Sequence, residues 1–122
     1  MKRDIRSFLA DIDEAAVRIM RYIKDLTFDD YQSNHLIQDS VERNFITIGE
    51  ALNKLQKADP ELAESIPNLR KIIDFRNLLT HGYFRIQPKI VWAAAIENLP
   101  VLHDKIKHLL ATLGKVPKPP ST

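Results

Sequence analysis

The sequence predicts an all-α protein, an up-down bundle of four main helices with one short extra helix, and three observations carry that expectation. Apolar residues recur at alternating steps of three and four, no segment alternates apolar and polar as a half-buried strand does, and capping residues and prolines punctuate the stripes. Ile5, Leu9, Ile12, Ala16, Ile19, Ile23 and Leu26 form the first stripe and predict a helix over about residues 4–26. Ile37, Val41, Phe45, Ile48, Leu52 and Leu55 form the second, with Asn34 as its cap, and predict a helix from about His35 to Lys57. Asp59 followed by Pro60 reads as an N-cap and first-turn pair, opening a short helix over Glu61 to Ile66 that Pro67 stops. The next helix runs from Leu69 to about His81, with Gly82 as a left-handed stop. Pro88 opens the last, through Val91, Ala95, Leu99, Leu102, Ile106, Leu109 and Leu113, with a bend expected at Pro100.

At 122 residues and 44% apolar content this is one domain, expected to span 1–114, followed by a flexible proline-rich tail over 115–122. Cysteine is absent, which excludes disulfides, a thiolate nucleophile and Cys-ligated zinc or iron–sulfur sites. No HExxH-type spacing suggests a metal, and no cofactor is expected. Three glycines, at 49, 82 and 114, make no phosphate-cradling loop, so the chain does not read as a nucleotide-transferring enzyme. No apolar stretch approaches the ~20 residues of a membrane span and the N-terminus lacks a secretory core, so the expected place is the cytoplasm, with no membrane partner. Phe8, Met20 and Ile46 lie off the main stripes and either pad the core or serve a homodimer interface. Trp92 reads as core, and His103 and His108 as surface. Gly49 in mid-helix suggests a close helix approach, and Arg43 and Glu50, off the main stripe, could face a partner subunit.

The net charge of +2 hides an uneven distribution. Residues 70–89 hold Arg70, Lys71, Arg76, Arg85 and Lys89 against Asp74 alone, a local +4 that leaves −2 on the rest of the chain. Asp25 to Glu42 carries Asp25, Asp29, Asp30, Asp39 and Glu42 with no Lys or Arg. One face thus suits a polyanion, and Arg70, Lys71, Arg85 and Lys89 are its candidate RNA contacts. The plainer alternative is a pair of solvated charge blocks.

Arg76 stands out by helical phase. It falls about 40° from Ile72, between Leu69 and Leu79, so a guanidinium sits within an apolar arc. Such a charge is costly unless paired or lining a wet groove; Glu42 and Glu50 are the candidate partners for the paired case. Beyond it the chain reads Arg76-Asn77-Leu78-Leu79-Thr80-His81-Gly82-Tyr83-Phe84. An imidazole, with an unperturbed pKa of about 6.5, exchanges protons near neutrality, and a guanidinium can grip two phosphate oxygens. The pair suits phosphoryl chemistry on RNA, whose 2′-hydroxyl lies beside the scissile phosphate. Five helical residues separate Arg76 from His81 by about 140°, so they share a cleft only if the last turn loosens or a second protomer completes the site. A symmetric dimer would also supply a second histidine where one cannot serve as both base and acid.

Arg76, His81 and Tyr83 fit the pattern R-x4-H-x-Y, with polar Asn77 directly after the arginine and Asp74-Phe75 before it. Upstream, Glu42-Arg43-Asn44-Phe45-Ile46-Thr47-Ile48-Gly49-Glu50-Ala51 completes a likeness that covers nearly the whole chain except its tail. On these residues the chain resembles the HEPN ribonucleases, and specifically the HepT toxins of HepT-MntA type toxin–antitoxin systems. The resemblance implies a HEPN-like bundle that acts as a homodimer, and a metal-independent ribonuclease toxin of a type VII system with catalytic Arg76 and His81 and supporting Asn77. It further implies neutralisation by a small MntA-like nucleotidyltransferase antitoxin that transfers AMP to Tyr83. Adenylylation would add bulk and phosphate charge beside His81 and repel RNA. The alternative is a noncatalytic helical module that dimerises and holds the nucleotidyltransferase, with Arg76 a structural ion pair; Tyr83 would then be a packing residue at the helix end.

Overall fold

A computed structural model describes residues 4–82 and 86–114. Seven α-helices follow in order among these residues: α1 (Ile5–Ile23), α2 (Phe28–Gln32), α3 (His35–Ala58), α4 (Pro60–Glu64), α5 (Leu69–His81), α6 (Pro88–Ala93) and α7 (Leu99–Leu113), with a π-helical turn, Ala94–Asn98, joining the last two. No strand occurs among the described residues. The fold is the all-α bundle that the stripes predict.

Capping explains where the helices begin. The side chain of Asp4 accepts from Arg6 N–H, Asn34 from Ile37 N–H and Asp59 from Leu62 N–H, each satisfying a donor that a helix start leaves free. Helix α2 lies in what reads from the sequence as an acidic loop. A reciprocal capping box between Thr27 and Asp30 starts it, and at its other end the Gln38 amide donates to the carbonyls of Tyr31 and Gln32, both at 2.9 Å. Burial of Tyr31, whose ring packs 5.3 Å from Trp92, holds this short element down.

The last predicted helix is continuous but not uniform. Pro100 has no N–H for the Ile96 carbonyl and its ring crowds that group. The chain answers with a wider turn just before it, in which Leu99 N–H bonds back to Ala94 O, while the backbone stays right-handed helical at Ala94 and Leu99. Gly82, expected to be left-handed, instead has φ −70° and ψ 125°, so the chain leaves α5 in an extended direction. The tail 115–122 lies outside the described residues.

Helix α3 is the centre of the bundle, packing along α1 on one side and against α5 on another, with α7 laid on α1. Leu9, Ile12, Ile19, Val41, Ile48, Leu52, Leu55, Leu102 and Ile106 are excluded from solvent and form the shared core. Phe8 joins that core and Met20 packs against it, which favours the core-padding reading for both. His103 departs from expectation: only 14% of its side chain is exposed, because Asp13 of α1 lies 2.7 Å from its Nε2.

Candidate active site on helix α5

Helix α5 binds to α3 through Ile72 and Ile73, which are buried, and through Phe75, whose ring meets Phe45 edge-on at 5.3 Å. Arg76 follows on the same inward arc, as its phase predicts. It fits there because residue 49 is glycine: a Cβ at that position would overlap the Cβ of Arg76 and stand only 2.5 Å from its Cγ. The close helix approach expected of Gly49 is therefore real, and what approaches is the arginine stem.

The head of Arg76 reaches the rim of the seam, where 22% of the side chain is exposed. Its Nη1 donates to Asn77 Oδ1 at 2.8 Å and its Nη2 to Glu50 Oε1 at 3.3 Å, while Nε is buried without a hydrogen-bond partner. Of the two carboxylates that the sequence offered to Arg76, Glu50 is the one its guanidinium meets. Glu42 lines a polar cleft of about 270 Å³ with His35, Gln38 and Asp39 on α3, and Leu78, Leu79 and Gly82 at the end of α5.

His81 is the last residue of α5 and is exposed. The final turn stays α-helical, closed by the Gly82 N–H on Leu78 O at 2.8 Å, so it does not loosen to bring His81 round to Arg76. Along one helix the two remain about 140° and ~7.5 Å of rise apart. Tyr83 and Arg85 lie outside the described residues.

The other cations divide. Lys71 of α5 and Lys89 of α6, distant in sequence, line one largely apolar groove of about 500 Å³ with Phe45, Phe75 and Ile90. Arg70 faces another cleft, lined by Gln56 and Glu64 among others and touched by Lys71 as well. Sequence patterning missed the groove of Lys71 and Lys89, because its walls come from α3, α5, α6, the π-helical turn and the start of α7. Among the described residues no group of three or more His, Asp or Glu is placed to hold a metal ion, and no helix is long and apolar enough to cross a membrane.

A family model described as "Ribonuclease HepT-like" matches residues 12–109, a span that contains α3, α5 and nearly all of the bundle. The chain belongs to the HepT-like ribonuclease family. Among its HepT-like relatives, "Probable ribonuclease HepT" of Thermococcus cleftensis is 30% identical over 109 residues, covering 89% of this chain and 98% of the relative. "Putative RNase MJ1380" of Methanocaldococcus jannaschii is 30% identical over 108 residues, covering 87% and 96%. No solved structure gives a significant match. The HepT-like span also takes in both partners of two interhelical polar pairs, Glu50 with Arg76 and Asp13 with His103.

Proposed function

We propose that this protein is a metal-independent endoribonuclease toxin of the HEPN type, acting in the cytoplasm as a homodimer with Arg76 and His81 as its catalytic residues. The observation that carries this reading is the state of Arg76. Its stem is seated against Gly49, yet its head stands at the rim with bonds from only one hydrogen of each Nη accounted for. A guanidinium so held can receive a phosphate without leaving its seat.

In the reaction the 2′-hydroxyl of RNA attacks the adjacent phosphorus and the 5′-oxygen of the next nucleotide leaves, giving a 2′,3′-cyclic phosphate and a 5′-hydroxyl. Arg76 binds the non-bridging oxygens, whose negative charge grows in the transition state, and His81 transfers a proton to or from the reacting oxygens. Asn77, bonded to Arg76 Nη1, supports the arginine. Because the last turn of α5 keeps Arg76 and His81 on different sides, the composite site uses both protomers. Lys71 and Lys89, with Arg70 and Arg85, attract the RNA backbone.

The test is cleavage of a broad RNA panel in EDTA. Wild type should cut, and His81→Ala should not, with unchanged helical circular dichroism; equal behaviour of the two overturns the reading. Neutralisation is proposed to follow from transfer of AMP to Tyr83 by an MntA-like nucleotidyltransferase antitoxin, making the two proteins a type VII toxin–antitoxin pair. Incubation with that partner and ATP should add AMP mass on Tyr83, and Tyr83→Phe should cleave RNA yet escape neutralisation. Modification found only at Tyr22 or Tyr31 refutes the assignment.

One observation favours the rival, a noncatalytic module that holds the nucleotidyltransferase: Arg76 does have an interhelical carboxylate partner, Glu50. That reading needs the pair to be structural, so that Arg76→Ala would lower stability by several kcal/mol.

A further inference from the structure

Gly49 and Glu50 are consecutive residues of α3, and both meet Arg76: the first at its stem, the second at its head. Consecutive helical positions point about 100° apart, so one faces the seam with α5 and the next stands at its edge. With no Cβ at 49, the aliphatic part of Arg76 lies where a side chain would otherwise be, and it has no room to swing toward α3. The guanidinium is then held between two acceptors, Asn77 Oδ1 at 2.8 Å on its own helix and Glu50 Oε1 at 3.3 Å across the seam.

A guanidinium carries five N–H donors. Two are used in these bonds, and the one on Nε faces the protein interior. The remaining two, one on each Nη, are left to donate to the oxygens of a phosphate. The bond to Glu50 is long, single and made to a carboxylate that is 47% exposed, which makes it a contact that orients the head and still leaves a hydrogen on each Nη. A short bidentate pair would have taken the same donors a phosphate needs.

We propose that Glu50, set in place beside Gly49, is a positioning residue for RNA cleavage: it fixes the plane of the Arg76 guanidinium so that its free donor pair faces the scissile phosphate. This rests on the ribonuclease reading above. Glu50 touches the arginine and not the RNA, and its own charge repels phosphate. The two effects have opposite signatures. As a mere surface anion, its removal would tighten RNA binding and lower KM with kcat unchanged; as a positioning residue, its removal lowers kcat and leaves KM equal or lower.

The experiment measures kcat and KM for one RNA substrate that wild type cleaves, with melting temperatures, for Glu50→Ala, Glu50→Gln, Arg76→Ala and the Glu50→Ala/Arg76→Ala double variant. Glu50→Ala should lose about ten- to hundredfold in kcat, the scale of a misplaced reacting group, with KM not raised and melting within a few degrees of wild type. Glu50→Gln keeps an acceptor oxygen and should recover most of that loss. In the Arg76→Ala background Glu50→Ala should cost nothing further, because the residue acts only through the arginine.

Wild-type kcat in Glu50→Ala overturns the proposal, as does an equal fall in the double variant or a loss in Glu50→Ala that Glu50→Gln fails to recover. In each of those cases wild type still cleaves and His81→Ala does not, so the ribonuclease reading stands. If wild type cuts no RNA, that reading falls and takes this one with it.

Discussion

Two polar pairs tie an outer helix of the bundle to the central α1 and α3, and they are built differently. His103 of α7 meets Asp13 of α1 at 2.7 Å, and Arg76 of α5 meets Glu50 of α3 at 3.3 Å. The His103 side chain is 14% exposed and that of Arg76 22%, so burial alone does not separate them. Donor count does. An ionised carboxylate only accepts, so the imidazole Nε2–H donates to Asp13 and that nitrogen has nothing left to offer. The guanidinium keeps an unused hydrogen on each terminal nitrogen after its two bonds. The first contact leaves its nitrogen fully used; the second leaves a donor on each terminal nitrogen, as the proposed contact to phosphate requires.

Substituting the residue that makes the second contact possible should have the largest effect. Gly49→Ala places a Cβ against the Arg76 Cβ, which cannot retreat without moving α5. Overpacking of this kind costs about 1–3 kcal/mol, and the ~1 kcal/mol that alanine gains in helix propensity offsets only part. Lower melting together with at least tenfold slower RNA cleavage is expected; wild-type values for both would show that the seam is loose. Next comes the complete pair. His103→Ala should cost about 1–2 kcal/mol by denaturant unfolding, by losing a part-buried hydrogen bond and its packing, while cleavage stays within twofold of wild type. A large loss of cleavage there would erase the contrast between the two ties.

Sequence patterning reached further into the long helices than into the places where elements meet. The ends of α3 and α5 were legible because Asn34, Asp59 and the break after His81 are local signals. Helix α2 was not, since five residues show no period; the Thr27–Asp30 capping box was present in the letters, but Gln38 and Trp92, which hold the segment, come from elsewhere in the chain. Gly82 misled because glycine permits a left-handed stop without requiring one. Phase arithmetic put Arg76 in the apolar arc and suspected a close approach at Gly49, yet choosing between Glu42 and Glu50 needed the rotation of α3 against α5. The burial of His103 likewise depends on Asp13 of a helix ninety residues earlier. Lys71 and Lys89 were read as members of one charge block, and only the fold brings them to the same groove.

Arg76→Ala follows as a smaller effect on stability and a decisive one on activity. Its bond to Glu50 is long and near the surface, so stability should fall by less than about 1 kcal/mol in chemical denaturation, with cleavage reduced to a small residual rate. A fall of several kcal/mol would make the two pairs alike and favour the noncatalytic reading.

The smallest expected change lies in Tyr31, which tests whether burial without a partner, as at Arg76 Nε, is tolerated where no ligand is served. Its ring is 1% exposed, and its hydroxyl has no hydrogen-bond partner. Burial, with the Glu42 and Asp39 charges adding to it, pushes its pKa well above the usual tyrosine value. In the unfolded chain Tyr31 ionises near pH 10. Below that pH both states hold the proton and the residue contributes no pH dependence. As pH rises past about 10 the unfolded chain releases its proton while the folded chain retains it, so stability falls. Tyr31→Phe removes both the unsatisfied hydroxyl and that alkaline slope. It should leave stability at pH 7 equal or up to about 1 kcal/mol higher, leave cleavage unchanged, and flatten urea midpoints measured between pH 9 and about 11. An unchanged alkaline slope would show that Tyr31 ionises as freely in the fold as outside it; a loss of stability at pH 7 would show that its hydroxyl is bonded after all.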